Sequence, residues 1–485
     1  MSISKNIASL APRASVVLAA AVLAACAVGP DYHPAASPVQ AARFGAAEAS
    51  DAYREDKPAA QFWTAFDDPL LQDLIQDSML ANHDLRIALA RLNESRALLR
   101  ELRLDSLPTV TAHTEYTRAL QSEDQARSQG KTGSALDRDA RESRLYTGGF
   151  DAYWELDFFG RARRAIEAGR AGEEALEADL RDVQISVAAE LARAYFELRG
   201  AQEQLRVSTR NAENQQATAD YAQHRLDAGS GTDFDTARAR AQLNATLATI
   251  PAVETSIAVA QHRIAVLTGR SPDALNAILE APGKEGSLPR LTSIGTPQDL
   301  LRRRADIRAV ERRLAAATAR IGVATADLFP RVSFAGEVGF AVDSIGNAGE
   351  SNGEAWSFGP GIHWAAFDLG RVRARIAQTR ANADGALALY EQTVLRAFEE
   401  TENTLVAYGR SRRRLDYLEV SMSASRRAAE LAHIRFDAGT SDFLDVLTAE
   451  NSQLTAEAQY ADARTHVATD LVALYKALGG DWQWQ

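Results

Sequence analysis

The chain has one cysteine, three methionines and fourteen prolines among 485 residues, and aromatic residues make up 7% of it. A single cysteine excludes an internal disulfide framework. No apolar run of transmembrane-helix length follows residue 25, so no membrane-spanning helix is expected in the mature chain. An excess of positive charge is lacking as well: 54 Lys and Arg stand against 65 Asp and Glu, and a net charge of −11 argues against a nucleic-acid partner. Catalytic patterns are weak. Gly349-Glu-Ser351-Asn-Gly353 fits G-x-S-x-G but falls in a polar stretch between two expected strands, whereas a nucleophile elbow needs a strand-to-helix turn. Gly130-Lys131-Thr132 resembles the end of a phosphate loop, yet Gln125 stands where its first glycine should be. The eight histidines show no ligand spacing, and His224, His262 and His433 read as helix-surface residues. No enzyme activity, metal site or bound cofactor is expected.

What the chain does contain is itself, twice. Trp154-Glu-Leu-Asp-Phe-Phe-Gly160-Arg161 returns as Trp364-Ala-Ala-Phe-Asp-Leu-Gly370-Arg371, and Arg225-Leu-Asp-Ala-Gly229 returns as Arg435-Phe-Asp-Ala-Gly439. The spacing is constant at 210 residues (154 to 364, 225 to 435, 235 to 445), too long for a solenoid repeat, so two homologous halves are expected. The prolines leave 161–227 and 371–437 uninterrupted, and both are rich in Ala, Arg, Glu and Leu. At 1.5 Å per residue, some 65 residues make a helix about 100 Å long. Each ends in Asp-Ala-Gly, where Gly229 and Gly439 supply a left-handed cap. A return helix then starts at Thr232 or Ser441, with acidic residues in its first turn. Antiparallel coiled-coil packing of each helix pair follows.

Ahead of each long helix the apolar period changes to two. Val110, Ala112 and Tyr116 oppose Thr111, His113 and Glu115; Phe150, Ala152, Trp154, Leu156 and Phe158 oppose Asp151, Tyr153, Glu155 and Asp157. Val332, Phe334, Val338, Phe340 and Val342 oppose Arg331, Ser333 and Glu337; Trp356, Phe358, Ile362 and Trp364 oppose Ser357, Gly359, Gly361 and His363, with Pro360 out of place in a strand. Such segments suit either a membrane barrel or a soluble sheet with one face on a core. The long helices favour the barrel, because no single globular core needs such a rod. Four strands cannot close a barrel, and an open edge in lipid leaves backbone groups unsatisfied. A membrane role therefore demands an oligomer, of two copies or of three.

The N-terminus sets the compartment. Lys5 and Arg13 precede an apolar run from Val16 to Ala25, too short to span but suited to a secretory signal. Leu23-Ala24-Ala25-Cys26 resembles a bacterial lipoprotein cleavage box, and Cys26 is the only cysteine. Acylation of Cys26 would leave no cysteine for a disulfide and would make covalent lipid the chain's only attached group. Several acyl chains anchor firmly where one is marginal. Ala27, rather than Asp, follows the cysteine and resembles an outer-membrane address.

Several stretches resemble the TolC-like outer-membrane efflux family, in its lipoprotein branch of the OprM/NodT type. They are Cys26-Ala-Val-Gly-Pro-Asp-Tyr32, Phe62-Trp63 with Asp67-Asp68-Pro69-Leu70, Ala81-Asn82-His83-Asp84-Leu85 and Leu267-Thr268-Gly269-Arg270-Ser271-Pro272. Asp299-Leu-Leu-Arg-Arg-Arg-Ala-Asp-Ile-Arg308, continued by Ile321-Gly-Val-Ala and Phe329-Pro330, is the most specific; Ala305 departs from the proline usual there. The resemblance covers essentially the whole mature chain.

That resemblance implies a mainly α fold with a membrane β-barrel portion, in two homologous halves. A homotrimer would form a 12-stranded barrel and a 12-helix periplasmic tunnel. The implied layout is a signal peptide at 1–25 and a lipidated segment with part of the equatorial belt at 26–66. A tunnel helix would follow at 67–107, a first hairpin at 108–158 and a first long helix pair at 159–269. An equatorial segment at 270–296, a tunnel helix at 297–328, a second hairpin at 329–368, a second helix pair at 369–479 and an equatorial end at 480–485 complete it. The loops Ala119–Leu145 and Asp343–Glu354 would face outside the cell. The function implied is a passive exit duct for small solutes such as drugs or metal ions. A periplasmic adaptor and an inner-membrane transporter of the RND type would be its partners, with outer-membrane lipid around the barrel. The alternative from another class is a non-conducting coiled-coil spacer or adhesin, which has no need for the alternating strands.

By the same resemblance, Gly229-Ser-Gly-Thr-Asp-Phe-Asp235 and Gly439-Thr-Ser-Asp-Phe-Leu-Asp445 correspond to the two periplasmic tip turns. Asp235 and Asp445 align with ring carboxylates of the gate; their other reading is as helix caps. Asp233 and Asp442 are read as helix-start charges. Phe436 and Ser441 stand where the best-known member has a locking tyrosine and arginine, so the lock must use other contacts. Arg302–Arg304 and Arg412–Arg414 are expected on solvated helix faces. Gly200 and Gly409 fall mid-helix, either where the belt crosses or as tolerated surface glycines.

Overall fold

The computed structural model describes residues 27–39, 41–45, 56, 61–281, 288–289 and 293–479. The expected signal peptide, Cys26 and the expected C-terminal belt segment lie outside the described residues. In chain order the long elements are α1 (Pro69–Ala81), α2 (His83–Leu104), β1 (Thr109–Leu120), β2 (Glu142–Leu156), α3 (Arg161–Asp227), α4 (Asp233–Leu247), α5 (Ile250–Leu267), α6 (Pro297–Arg303), α7 (Ala305–Ala326), β3 (Arg331–Val342), β4 (Glu354–His363), α8 (Leu369–Asp437) and α9 (Phe443–Ala477). Two compact units divide them. One holds the chain up to Ala35 with Asn93–Ala175 and Glu311–Leu389; the other holds Ala36–Leu92, Leu176–Val310 and the chain from Tyr390.

The first unit carries the sheet, in the order β1-β2-β3-β4. All pairs are antiparallel, and β2–β3 joins the two halves of the duplication. The register lines up Ala112, Phe150, Val338 and Trp356 in one cross-strand row, and Thr111, Asp151, Glu337 and Ser357 in the next. Side chains alternate between faces, so one face is apolar and the other polar. Among the described residues nothing covers the apolar face: Phe150 is 58% exposed, Trp356 69% and Ile362 75%. On the polar face His113 pairs with Asp151 at 2.7 Å. Pro360 sits in β4, an end strand of the sheet, where its missing N–H is tolerated. β2 begins eight residues before the alternating segment, because its backbone continues to pair with β1 as far as Leu120↔Glu142. The connection between them is correspondingly shorter and carries short helices at Glu123–Ser128 and Arg138–Arg141. Gly349–Gly353 lies in the turn between β3 and β4, not in a strand-to-helix elbow.

The segment after Cys26 is strapped to this unit. Val28 N–H donates to the Phe159 carbonyl at 3.2 Å, and Arg164 reaches the Val28 carbonyl and the Asp31 carboxylate at 3.2 and 2.6 Å. Tyr32 donates to Glu311 at 3.0 Å and lies beneath the Arg312 guanidinium. Gly29 takes φ +95°, and a Cβ there would come within 2.4 Å of the Gly322 backbone. The Gly-Pro-Asp-Tyr motif is thus a docking strap.

In the second unit the other motifs become contacts. Asp68 caps α1 and accepts the Tyr195 hydroxyl at 2.5 Å, while burial first and that bond second push Tyr195 up to about 12. Asn82 caps α2 and donates to the Leu267 carbonyl at 2.9 Å, beside Gly269 in the left-handed region. Thr296 and Asp299 form a reciprocal capping box on α6. Arg304 corrects the expectation of a solvated cluster. Its side chain is 12% exposed, and it donates to Asp306 and Glu400 at 2.8 Å and to the Ala477 carbonyl at 3.0 Å. The reason is the break between α6 and α7, which turns Arg304 inward against α8 and α9. By composition α4–α5 (Asp233–Leu267) is long and apolar enough to cross a membrane, contrary to expectation. Arg263 of α5 nonetheless pairs with Glu190 of α3, so the segment serves as a return helix.

Gly200 is a packing residue. A Cβ there would lie 2.0 Å from Thr465 Oγ1, 2.7 Å from its Cγ2 and 2.9 Å from its Cβ, and turning Thr465 about χ1 does not relieve the last of these. Gly200→Ala gains about 1 kcal/mol of helix propensity but overpacks α3 against α9 by about 1–3 kcal/mol. Net destabilisation is expected in denaturant melts, with recovery in Gly200→Ala/Thr465→Ala. A single variant at least as stable as wild type would show that the helices separate freely. Gly409 is half-buried on α8.

Candidate functional site at the tip turns

Both long helices end in the same motif. Ser230 and Gly229 N–H donate to the Arg225 and Leu226 carbonyls, and Thr440 and Gly439 N–H donate to those of Arg435 and Phe436. These are Schellman caps, made possible by φ of +73° at Gly229 and +72° at Gly439. Starting the return helices is less symmetrical. Thr232 accepts from Asp235 N–H at 3.2 Å, and its hydroxyl donates to the Asp235 carboxylate at 2.7 Å. Asp235 is therefore half-buried and engaged in capping, while Asp445 is exposed. Asp233 lies in the first turn of α4. Ser441 does not cap α9: the cap position is Asp442, without a side-chain bond, and Ser441 Oγ is buried with no partner among the described residues. The 210-residue register explains this, since it carries Thr232 onto 442 and leaves Ser441 one residue outside.

The turns share one apolar cluster, in which Ala222 of α3 and Ala239 of α4 meet Phe443 and Leu447 of α9. Phe436 packs on it, with ring centroids 5.5 Å from Phe443 and 5.9 Å from Tyr221, and the Arg225 guanidinium lies 5.4 Å from its ring. Where a hydroxyl and an arginine were missing from the sequence, the tip uses edge-on and tilted ring contacts and a cation–π contact.

Farther along α9, two carboxylates one heptad apart tie it to both neighbours. Glu450 Oε1 accepts from Thr218 of α3 at 3.1 Å and pairs with His433 of α8 at 2.9 Å. Glu457, 2% exposed, is held by Arg210 of α3, by Arg426 of α8 at 3.0 Å and by Gln453. Burial pushes the Glu450 carboxyl up, and its bonds to His433 and Thr218 only partly offset this. Glu457 is also raised by burial, but Gln453 and the two arginines outweigh it and the carboxyl lies below its ordinary range. His433 is thus a pairing residue, not merely a surface one. The available signal was the matched spacing of Arg426/His433 with Glu450/Glu457, seven residues in each pair.

Unclosed strand pairs feeding helices of about 67 residues, which turn back at a capped tip, define a membrane channel with a helical tunnel. The chain belongs to the outer membrane efflux protein family, whose sequence model matches residues 74–270 and 296–480. It is similar to outer membrane protein OprJ of Pseudomonas aeruginosa, 31% identical over 96% of this chain and 95% of that protein. Among solved structures it is similar to the outer-membrane channel OprN, with TM-score 0.85 and 44% identity, covering 94% of this chain and 99% of that one. The open state of the Neisseria gonorrhoeae MtrE channel matches with TM-score 0.79 and 28% identity over 94% and 98%. Its function is that of an outer-membrane exit duct for efflux, and the family is one of transport proteins.

Proposed function

We propose that three copies close one 12-stranded barrel and a 12-helix tunnel, anchored by acyl chains on Cys26. A periplasmic adaptor docks on the tip, and an inner-membrane RND-type transporter drives small solutes through in a tripartite pump. The observation that carries this reading is the sheet itself: among the described residues β1 and β4 have open edges, and nothing covers its apolar face. A spacer or adhesin would have no use for either. Planar-bilayer recording tests it: the purified protein should give discrete conductance steps, and a sealed bilayer would reject the duct. Cys26→Ala should abolish labelling by radioactive palmitate; undiminished labelling would remove the anchor.

Asp235 and Asp445 are proposed to ring the constriction, six carboxylates in a trimer, giving a throat that favours cations. Asp235 reaches that role while also capping α4, so the two functions separate only on substitution. Asp235→Asn with Asp445→Asn should lower cation selectivity and weaken block by multivalent cations from the periplasmic side, at a stability cost of up to about 1 kcal/mol that arises at Asp235 alone. Wild-type selectivity and block in the double variant would leave capping as the only role.

A further inference from the structure

Between α3, α8 and α9, beside the aromatic cluster of the tip, lies a cavity of about 650 Å³. That is the size of a site for a drug-sized molecule. Its floor is polar and unsatisfied. Gln215 is 3% exposed and Asn211 4%, and Gln215 Oε1 and Nε2 and Asn211 Nδ2 have no partner among the described residues. Glu450 Oε2 is likewise unpartnered, although Oε1 of the same carboxylate holds Thr218 and His433. Buried groups left like this cost free energy unless an occupant completes them. Tyr221, Phe436 and Phe443 supply an aromatic wall.

The chemistry of the occupant follows from charge and donor type. Arg426 lines the cavity but is held by Glu457, and Glu430 is matched by Arg427, which leaves Asp437 and Glu450, the latter shared with the His433 imidazole, to set a negative field. An anion is therefore disfavoured. A metal ion would find Glu450 and Gln215 oxygens but too few further ligands. An ammonium group meets the two unpartnered acceptors, Glu450 Oε2 and Gln215 Oε1, with water completing the Gln215 and Asn211 N–H donors, and an attached ring meets the wall, where a cation also gains from the ring faces. We propose that this cavity binds a small organic ammonium ion with an aromatic body, its N–H groups donating to Glu450 Oε2 and Gln215 Oε1. Such an occupant touches three helices at once and favours whichever arrangement of the tip keeps them together. The site is independent of what the duct conducts.

Isothermal titration of the full-length protein in detergent with phenethylammonium tests this. Saturable binding at one site per chain is expected, with none for the uncharged 2-phenylethanol. Glu450→Gln should weaken binding at least tenfold. Gln215→Leu, which fills the floor and leaves the Thr218 and His433 bonds of Glu450 in place, should abolish it, and decides the matter if Glu450→Gln does not fold. No saturable heat with wild type, which means a cavity filled by water alone, overturns the proposal. So does equal binding of the alcohol, or unchanged binding in Gln215→Leu.

Discussion

Arg304→Met should destabilise the helical unit by about 1.5–3 kcal/mol, the range of a hydrogen bond to a charged group, because the Asp306 and Glu400 carboxylates are 29% and 41% exposed and water replaces part of the loss. The side chain is 12% exposed and bonds to Asp306, Glu400 and the Ala477 carbonyl, so its removal strips the guanidinium from two carboxylates and leaves the carbonyl only the long Thr401 hydroxyl bond at 3.3 Å. Those carboxylates in turn hold the guanidinium protonated well above its ordinary range, against the opposing effect of burial. Methionine keeps most of the volume, which separates lost pairing from a cavity. Arg304→Lys should fall between, because an ammonium cannot present the planar fork that grips both oxygens of Asp306. Denaturant melts of the detergent-solubilised protein measure the effect. A Met variant that melts with wild type would mean that solvent takes over all three bonds.

Asp182→Asn should stabilise the same unit, and only at neutral to alkaline pH. Burial first, then repulsion from Asp306, push the Asp182 carboxyl up to about 6, despite Lys476 and Arg304 nearby. A folded value above the unfolded one means that Asp182 favours the fold while protonated. That contribution is complete below about pH 4 and is lost as pH rises through about 6. Asparagine never ionises and so avoids the loss. The variant should gain up to about 3 kcal/mol at pH 8, and the gain should vanish towards pH 4. Melting curves at the two pH values check it; a gain independent of pH would have a packing origin. Because Arg304 and Asp182 share a field, the two substitutions should be non-additive.

The long helices were legible because proline is absent from 161–227 and 371–437, and helix propensity dominates where nothing breaks it. The tip turns were legible because a Schellman cap needs glycine at one position, and Asp-Ala-Gly occurs twice in register. Ser441 misled because serine is a good cap by type, while the cap position is set by where the turn ends. The strands were only partly legible. Backbone pairing carried β2 back to Glu142, past the point where its side chains cease to alternate. Ala305 removed the proline expected to break α6 from α7, yet Arg304 keeps the extended backbone, with ψ of 121°, that a following proline would impose. Most of the tip's tertiary contacts were not legible. Glu450 and Glu457 look like any acidic pair on a helix surface until the rotation of α9 against α3 and α8 is known, and one sequence does not contain that rotation.

The open edges of β1 and β4 have a genetic consequence. Under the proposed closure, a copy unable to offer a sound β1 or β4 is not simply absent from the population. It enters a ring and ruins the two good copies beside it. Edge-strand alleles should therefore be dominant when expressed alongside the normal gene, and alleles that stop the chain before it folds should be recessive.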